Sequence, residues 1–124
     1  MRELKKLRVK VDDVVYMPSL DAPAGKPHPF VYFISIQNDS SQEVTIVGRK
    51  WVVREGDETV VVEGDGVVGQ MPTLAPGQHF SYNSYHVTAE NGVAEGAFFG
   101  RTAGGEVVFT RIPRFTLELP SWVQ

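Results

Sequence analysis

The stretch Phe30-Val31-Tyr32-Phe33-Ile34-Ser35-Ile36-Gln37-Asn38 decides the fold class. Every second residue in it is apolar, namely Phe30, Tyr32, Ile34 and Ile36. Ser35 and Gln37 occupy the alternate positions. Because successive side chains of a β-strand point to opposite faces, this pattern predicts a strand with one buried face. Asn38-Asp39-Ser40-Ser41 has the composition of a turn and ends the strand.

The same alternation continues in both directions and predicts about seven strands in all. The other six lie near 7–12, 44–54, 59–63, 79–84, 93–101 and 106–119. No segment has a helical period, and parallel strands would need crossovers of a dozen or more residues. The pattern therefore predicts an all-β, mostly antiparallel sandwich of two sheets, of immunoglobulin or fibronectin type III character, with a small closed barrel as the alternative.

Three local features refine this prediction. In strand 44–54 the apolar phase slips near Gly48, which indicates a β-bulge, and Trp51 on that strand is expected in the core. Ala103-Gly104-Gly105 predicts the turn of a hairpin, and Pro113 on its second arm marks an edge or a bulge. On that arm we expect one shared face for Val107, Phe109, Phe115, Leu117 and Leu119.

Composition limits the classes of function. The 124 residues predict one domain over 1–124, with a core of about 7–119 and short tails at both ends. There is no cysteine, and the net charge of −3 lacks the basic excess of nucleic-acid-binding proteins. No secretory leader and no run of eighteen apolar residues is present, so we expect a cytoplasmic protein without a membrane segment.

A glycine string, Gly64-x-Gly66-x-x-Gly69, is the main candidate for ligand binding. In a dinucleotide-binding fold such a string needs a helix directly after it, but here Pro72 and Pro76 follow, so that interpretation fails. Backbone amides of a glycine loop can still form an anion-binding nest, and Arg49 and Lys50 could add positive charge. The competing interpretation is that the glycines permit positive φ in a structural loop; Gly64–Gly77 is predicted to be irregular.

Candidates for catalysis and metal binding are weaker. His28, His79 and His86 have no metal-ligand spacing, and we expect surface or loop histidines. The carboxylates Glu63 and Asp65 are expected to be solvated turn residues. We therefore predict no catalytic residues, no metal and no cofactor.

Three segments resemble the ApaG (DUF525) family. The first is the loop from Gly64 to Gly77, read as GDGVVGQMPTLAPG, which continues into Phe80 and Tyr82. The second is Arg49 with Trp51 upstream, and the third is Ile112-Pro113 with Phe115. The likeness covers about Leu7 to Leu119, in the same order and with similar spacing. This sequence departs from the family pattern at Lys50, where histidine is common, at Tyr85-His86, where Gly-Cys is common, and at Arg114, where proline is common.

The resemblance implies a fibronectin type III-like sandwich and brings no catalytic residues with it. The family takes its name from an operon shared with a diadenosine tetraphosphate hydrolase. Similar domains occur inside some F-box proteins and a polymerase delta-interacting protein, where they resemble protein-interaction modules.

These observations lead to one leading hypothesis and two alternatives. The leading hypothesis is a non-enzymatic module that binds a protein partner through a sheet edge or end loops. The first alternative is a nucleotide or polyphosphate ligand, a phosphate-containing small molecule, at Gly64–Gly69. The second is an enzyme acting on phosphoanhydrides. A homodimer through an edge strand is compatible with each.

Overall fold

Nine β-strands and no helix form residues 1–123, the part of the chain that the computed structural model describes. The strands are β1 (Arg2–Glu3), β2 (Leu7–Tyr16), β3 (His28–Asn38), β4 (Val44–Glu55), β5 (Glu58–Asp65), β6 (Thr73–Leu74), β7 (His79–Thr88), β8 (Gly92–Thr102) and β9 (Val107–Leu117). The seven long strands are those that the alternation predicts. The short strands β1 and β6, two residues each, are additional. Within residues 1–123 there is no helix of the length and apolar character needed to cross a membrane.

The strands form two separate sheets. The larger has the order β1-β9-β8-β4-β5, with β6 also paired to β4, and the smaller has the order β2-β3-β7. All pairings are antiparallel except that of β1 with β9. The predicted antiparallel sandwich is therefore confirmed, and the closed-barrel alternative is excluded.

The core lies between the two sheets and contains the residues that the alternation marks. The inward positions of β3, which are Phe30, Tyr32, Ile34 and Ile36, are all buried. From the larger sheet, Trp51 is 1% exposed and Phe98 is fully buried. Each large apolar side chain buried in this way stabilises the fold by roughly 1.5–3 kcal/mol.

A β-bulge in β4 explains the phase slip near Gly48. Ile46 pairs with Gly100 and Gly48 pairs with Phe99, which leaves Val47 as the extra residue. The extra residue changes the phase of the strand by one position, so both Ile46 and Trp51 point into the core. The predicted bulge is confirmed.

A second irregularity corrects the prediction for the last strand. Ile112 pairs with Gly96 and Phe115 with Ala94, so Pro113 and Arg114 bulge out opposite Glu95. The set of alternate residues of β9 that points into the core changes at this bulge. Before the bulge the buried residues of β9 are Val108, Thr110 and Ile112, and after it Leu117 is buried. The expectation that Val107 and Phe109 share the face of Leu117 is therefore wrong, because pairing across Pro113 is offset.

The segment after β4 is more regular than the glycine content suggests. Gly64 and Asp65 belong to β5 and pair with Arg49 and Gly48, so the irregular part begins only at Gly66. Further along, Gly77 has φ +87°, and the amide of Gln78 donates to the carbonyl of Ala75 at 2.9 Å. These are the features of a type II turn with glycine at its third position.

Candidate binding site

The glycine string forms the end of β5 and a tight turn. Opposite Gly64, Arg49 Nη1 donates to the carbonyl oxygens of Asp65 at 2.8 Å and Gly66 at 3.2 Å. A Cβ on Gly64 would lie 2.7 Å from Arg49 Nη2. The absence of a side chain at Gly64 thus gives the guanidinium room to lie against the strand and bind the start of the turn.

The turn itself is built on left-handed backbone. Val67 and Gln70 exchange two backbone hydrogen bonds, of 2.8 and 2.9 Å, around Val68 (φ +43°) and Gly69 (φ +79°). Two central residues with positive φ define a type I′ turn. Gly66 has φ +56°, and a Cβ there would lie 2.1 Å from the carbonyl oxygen of Gln70. Valine strongly disfavours the conformation that Val68 adopts.

This geometry bears on the predicted anion site. The amides of Gly66, Val67 and Gln70 each donate to a backbone carbonyl. Arg49 faces carbonyl oxygens of the turn. These groups therefore stabilise the turn by bonds within the chain, and Gly64 and Gly66 have structural reasons for being glycine.

The predicted basic pair is divided between two faces. Arg49 lies on the inner face of β4 together with Trp51, whereas Lys50 must point outward because neighbouring residues of a strand alternate. The Lys50 ammonium lies 3.8 Å from the carboxylate of Glu63. The structure thus brings Arg49, Gly64 and Gly66 together, places Gly69 at the tip of the turn, and sends Lys50 to the opposite side of the sheet.

A pocket lies on the inner side of the larger sheet, between β5 and β7. Its volume is about 270 Å³, below the roughly 300–1,000 Å³ of sites for drug-sized ligands. The walls are mainly apolar and aromatic, with Val60 and Val62 from β5, Trp51 and Val53 from β4, Tyr32 from β3 and His86 from β7. Polar groups also line the pocket, from Lys26, Arg49, Glu55 and Ser84. Such a volume suits a single side chain or a small heterocycle.

Three rings pack together at the base of this pocket. His86 stacks on Tyr32 with ring centroids 4.7 Å apart and an interplanar angle of 18°. Trp51 meets His86 edge-on, also at 4.7 Å. The ring nitrogens Trp51 Nε1 and His86 Nε2 are both buried and have no hydrogen-bond partner among residues 1–123.

His86 is the residue for which the expectation of a surface or loop histidine is wrong. It continues the inward series of Phe80, Tyr82 and Ser84 by one more alternate position, so the strand pattern itself could have identified it. Burial lowers the pKa of His86 from 6.5 to about 4, because the interior does not solvate the imidazolium. At neutral pH the ring is uncharged.

An ion cluster closes one end of the pocket. Glu55 is 7% exposed, and its carboxylate binds the Lys26 ammonium and accepts the amides of Ala89 at 2.7 Å and Glu90 at 3.0 Å. Burial alone would raise the pKa of Glu55, but Lys26 and the two amides outweigh it and hold the pKa below its ordinary value. Lys26 also contacts Glu58 at 2.5 Å. The cluster anchors the hairpin of β4 and β5 to the segment before β3.

The outer boundary of the pocket is the edge strand β5. Its valines are exposed on both faces: Val60 is 36% exposed, Val61 52% and Val62 41%. The register to β4 runs without a shift from Glu58 to Asp65. Valine composition alone did not reveal this edge, because the position of β5 at the end of the sheet depends on strand order.

The free backbone groups of β5 follow from its turn. Gly56 and Asp57 form a two-residue loop between Glu55 and Glu58, which are a pair in the register. A hairpin this tight closes on a pair that exchanges its hydrogen bonds, and such pairs then alternate along the strands. The N–H and C=O groups that point away from β4 are therefore those of Thr59, Val61 and Glu63.

No group of three or more His, Asp or Glu side chains within residues 1–123 is arranged to hold a metal ion. The carboxylates Glu63 and Asp65 are exposed.

Comparison with known proteins assigns a family. A family model described as ApaG domain (DUF525) matches residues 18–102. Protein ApaG of Deinococcus radiodurans is 36% identical over 108 residues, which cover 86% of this chain and 83% of that protein. Protein ApaG of Thiobacillus denitrificans is 32% identical over 123 residues, 97% of each chain. A crystal structure of a Bordetella pertussis protein named ApaA superimposes with a TM-score of 0.83 at 29% identity, covering 98% of this chain and 99% of that one.

Proposed function

The chain belongs to the ApaG family, and from that premise we propose that it is a non-enzymatic, protein-binding module that captures an extended segment of a partner along β5. The observation that carries the proposal is an eight-residue edge strand with valines exposed on both faces. Such a strand presents unpaired N–H and C=O groups to which another strand can add. Main-chain hydrogen bonds then provide affinity.

A contrast with the other edges supports this choice. Natural sheets protect their edges with bulges, prolines and charged side chains. The edge strand β2 has a register shift between Val11 and Asp13, and β9 carries Pro113 beyond its short pairing with β1. On β7 the outward side chains up to Asn83 are polar. Strand β5 has no bulge, no proline and no charged side chain over residues 59–62, and it is the edge best suited to accept a partner strand.

The proposal is tested by selecting extended peptides from a displayed random library on the full chain and on a Val61→Pro variant. Proline at Val61 removes a donor that points to the free edge and leaves the bonds to β4 intact, so the variant is expected to fold. A Val61→Ala variant controls for loss of the side chain. We expect peptides that bind the native chain and Val61→Ala but not Val61→Pro. Selection of peptides that bind all three equally, or of none, would refute strand addition at β5.

A nucleotide or polyphosphate ligand at Gly64–Gly69, with Arg49 and Lys50, is the second proposal and has less support. The exposed turn at Val68-Gly69 and the nearby guanidinium are compatible with it. Against it, three amides of the turn already donate within the chain, and Lys50 lies on the other face. An NMR titration with ATP, diadenosine tetraphosphate, pyrophosphate and Mg²⁺ distinguishes the two, since amide shifts confined to Gly64–Gly69 would favour the ligand.

A further inference from the structure

The chemistry of the partner follows from what surrounds β5, and this inference rests on the proposed function. Val60 and Val62 are on the inner face of β5, in register with Val53 and Trp51 of β4. The smaller sheet ends at β7, which leaves the pocket between β5 and β7 uncovered on its outer side. A strand added to β5 would place every second side chain on this inner face, beside the pocket opening.

Distance determines which side chain can fill the pocket. An added strand lies about 4.8 Å beyond β5, and therefore about twice that from β4, where Trp51 forms the base of the pocket. A short side chain on the added strand would end beside the valines. A long or aromatic side chain can lean back over them and cover the rings of Trp51 and His86.

Charge determines what flanks that side chain. From Asp57 to Asp65 the sequence has four acidic residues and no basic one: Asp57, Glu58, Glu63 and Asp65. Lys26 and Lys50 offset Glu58 and Glu63, whereas Asp57 and Asp65 make no ion pair within residues 1–123. The end of the edge strand at Asp57 and Glu58 is therefore negative. At the other end, Lys50 and the Arg49 guanidinium, which lies against Asp65, balance Glu63 and Asp65.

A second copy of this chain fits the same edge poorly. If two β5 strands pair antiparallel about Val61, Asp57 of one copy lies opposite Asp65 of the other, and the four acidic residues from 57 to 65 of each copy gather along one seam. Like charges opposite each other destabilise strand pairing. The charge pattern thus favours a partner of opposite sign over self-association.

We propose that the partner is an extended segment of another protein with a bulky apolar or aromatic side chain that enters the pocket between β5 and β7, flanked by lysine or arginine on the side that lies beside Asp57 and Glu58. The bulky side chain gains the apolar contacts of Trp51, Val60 and Val62. The basic flank pairs with the acidic end of the edge strand at Asp57 and Glu58. Pocket and edge then act as one recognition surface, in which the backbone provides affinity and the pocket provides selectivity.

Three blocked decapeptides test the inference by NMR titration of the full chain. The first has alternating phenylalanine and valine with threonine between them and two lysines at each end. The second replaces the phenylalanine by alanine, and the third replaces the lysines by glutamates. We expect the first to bind at least about tenfold more tightly than either of the others, with shifts at Thr59, Val61 and Glu63 and at the Trp51 indole.

Two variants separate pocket from edge. Val62→Phe fills the pocket from its own wall, and Val61→Phe places the same ring on the outer face as a matched control. We expect Val62→Phe to abolish the preference for phenylalanine over alanine and Val61→Phe to keep it. Equal binding of all three peptides, with shifts along β5, would refute the pocket and charge assignment and leave strand addition standing. If none of the three peptides binds the native chain, both the pocket and charge assignment and strand addition at β5 are refuted. A concentration-dependent dimer that Val61→Pro dissociates would show that a second copy occupies the edge and would overturn the proposal.

Discussion

Replacing His86 by phenylalanine should remove most of the loss of stability that the protein suffers between pH 7 and pH 5. The imidazole stacks on Tyr32 and touches Trp51, and its Nε2 is buried without a partner among residues 1–123. Burial lowers its pKa from 6.5 to about 4. In the unfolded chain the same ring has its ordinary pKa of 6.5. Since the unfolded state then binds more protons, stability falls as pH decreases from about 6.5 to about 4.

The magnitude follows from the two pKa values. A full shift from 6.5 to about 4 corresponds to about 3 kcal/mol once both states are protonated. Between pH 7 and pH 5 the linkage relation gives about 2 kcal/mol, because the unfolded ring is mostly protonated at pH 5 and the folded ring mostly is not. Phenylalanine keeps a flat ring in the stack and has no proton to bind.

Urea unfolding, followed by tryptophan fluorescence, measures this directly. The native chain, His86→Phe and the exposed-site control His79→Gln are unfolded at pH 7 and pH 5. We expect the free energy of unfolding to fall by about 2 kcal/mol in the native chain and in the control, and by much less in His86→Phe. The carboxylate Glu55 titrates in all three proteins, so its contribution cancels. If His86→Phe loses as much stability as the native chain, or if the NMR titration of His86 has its midpoint near 6.5, the burial argument is wrong.

The remaining predictions concern the turn after β5 and the ion cluster. Gly66→Ala should lower the free energy of unfolding by about 2 kcal/mol or more, because the added Cβ would meet the Gln70 carbonyl and φ is positive there. Gly69→Ala, whose Cβ would meet open space, should lower it by about 1 kcal/mol. Chemical unfolding compares the two variants, and equal losses would contradict the steric account. Val68→Asn should raise thermal stability by about 1 kcal/mol, since asparagine tolerates the left-handed backbone of a type I′ turn; an unchanged melting temperature would argue against strain. Glu55→Gln should lower the free energy of unfolding by about 1–3 kcal/mol at pH 7, and the exposed Glu58→Gln by less than about 0.5 kcal/mol. The effect of Glu55→Gln should shrink as pH falls below the ordinary carboxyl pKa, because the pKa of Glu55 is lowered in the folded state.

Local pattern was sufficient for much of the fold. Period-two alternation predicts all seven long strands, the phase slip near Gly48 predicts the bulge that the structure has at Val47, and Pro76-Gly77 predicts a type II turn. These features depend on neighbouring residues, so they can be read along the chain. In the last strand the irregularity at Pro113 is predicted, but the face of Val107 and Phe109 is not, because the change of face across Pro113 depends on the pairing with β8.

The candidate site was predicted only in part. The sequence identified Arg49 and the glycines as features of interest, but the role of Gly64 depends on the guanidinium that lies against it from the paired strand. Lys50 is adjacent to Arg49 in the sequence, but adjacent residues of a strand lie on opposite faces of the sheet. As an isolated residue His86 resembles a surface histidine; its burial follows only from its alternate position in β7 after Phe80, Tyr82 and Ser84.

The sequence by itself determined an antiparallel β-sandwich with Trp51 and the alternate residues of β3 in its core, because burial of one face requires only a repeating pattern along the chain. Tertiary structure alone decided that β5 lies at a sheet edge, that its valines border a pocket with Tyr32, Trp51 and His86, and that Glu55 meets Lys26. Strand order and the offset of one sheet over the other bring together residues far apart in the chain. No local pattern encodes those distances, and they are what gives this protein a candidate surface for binding.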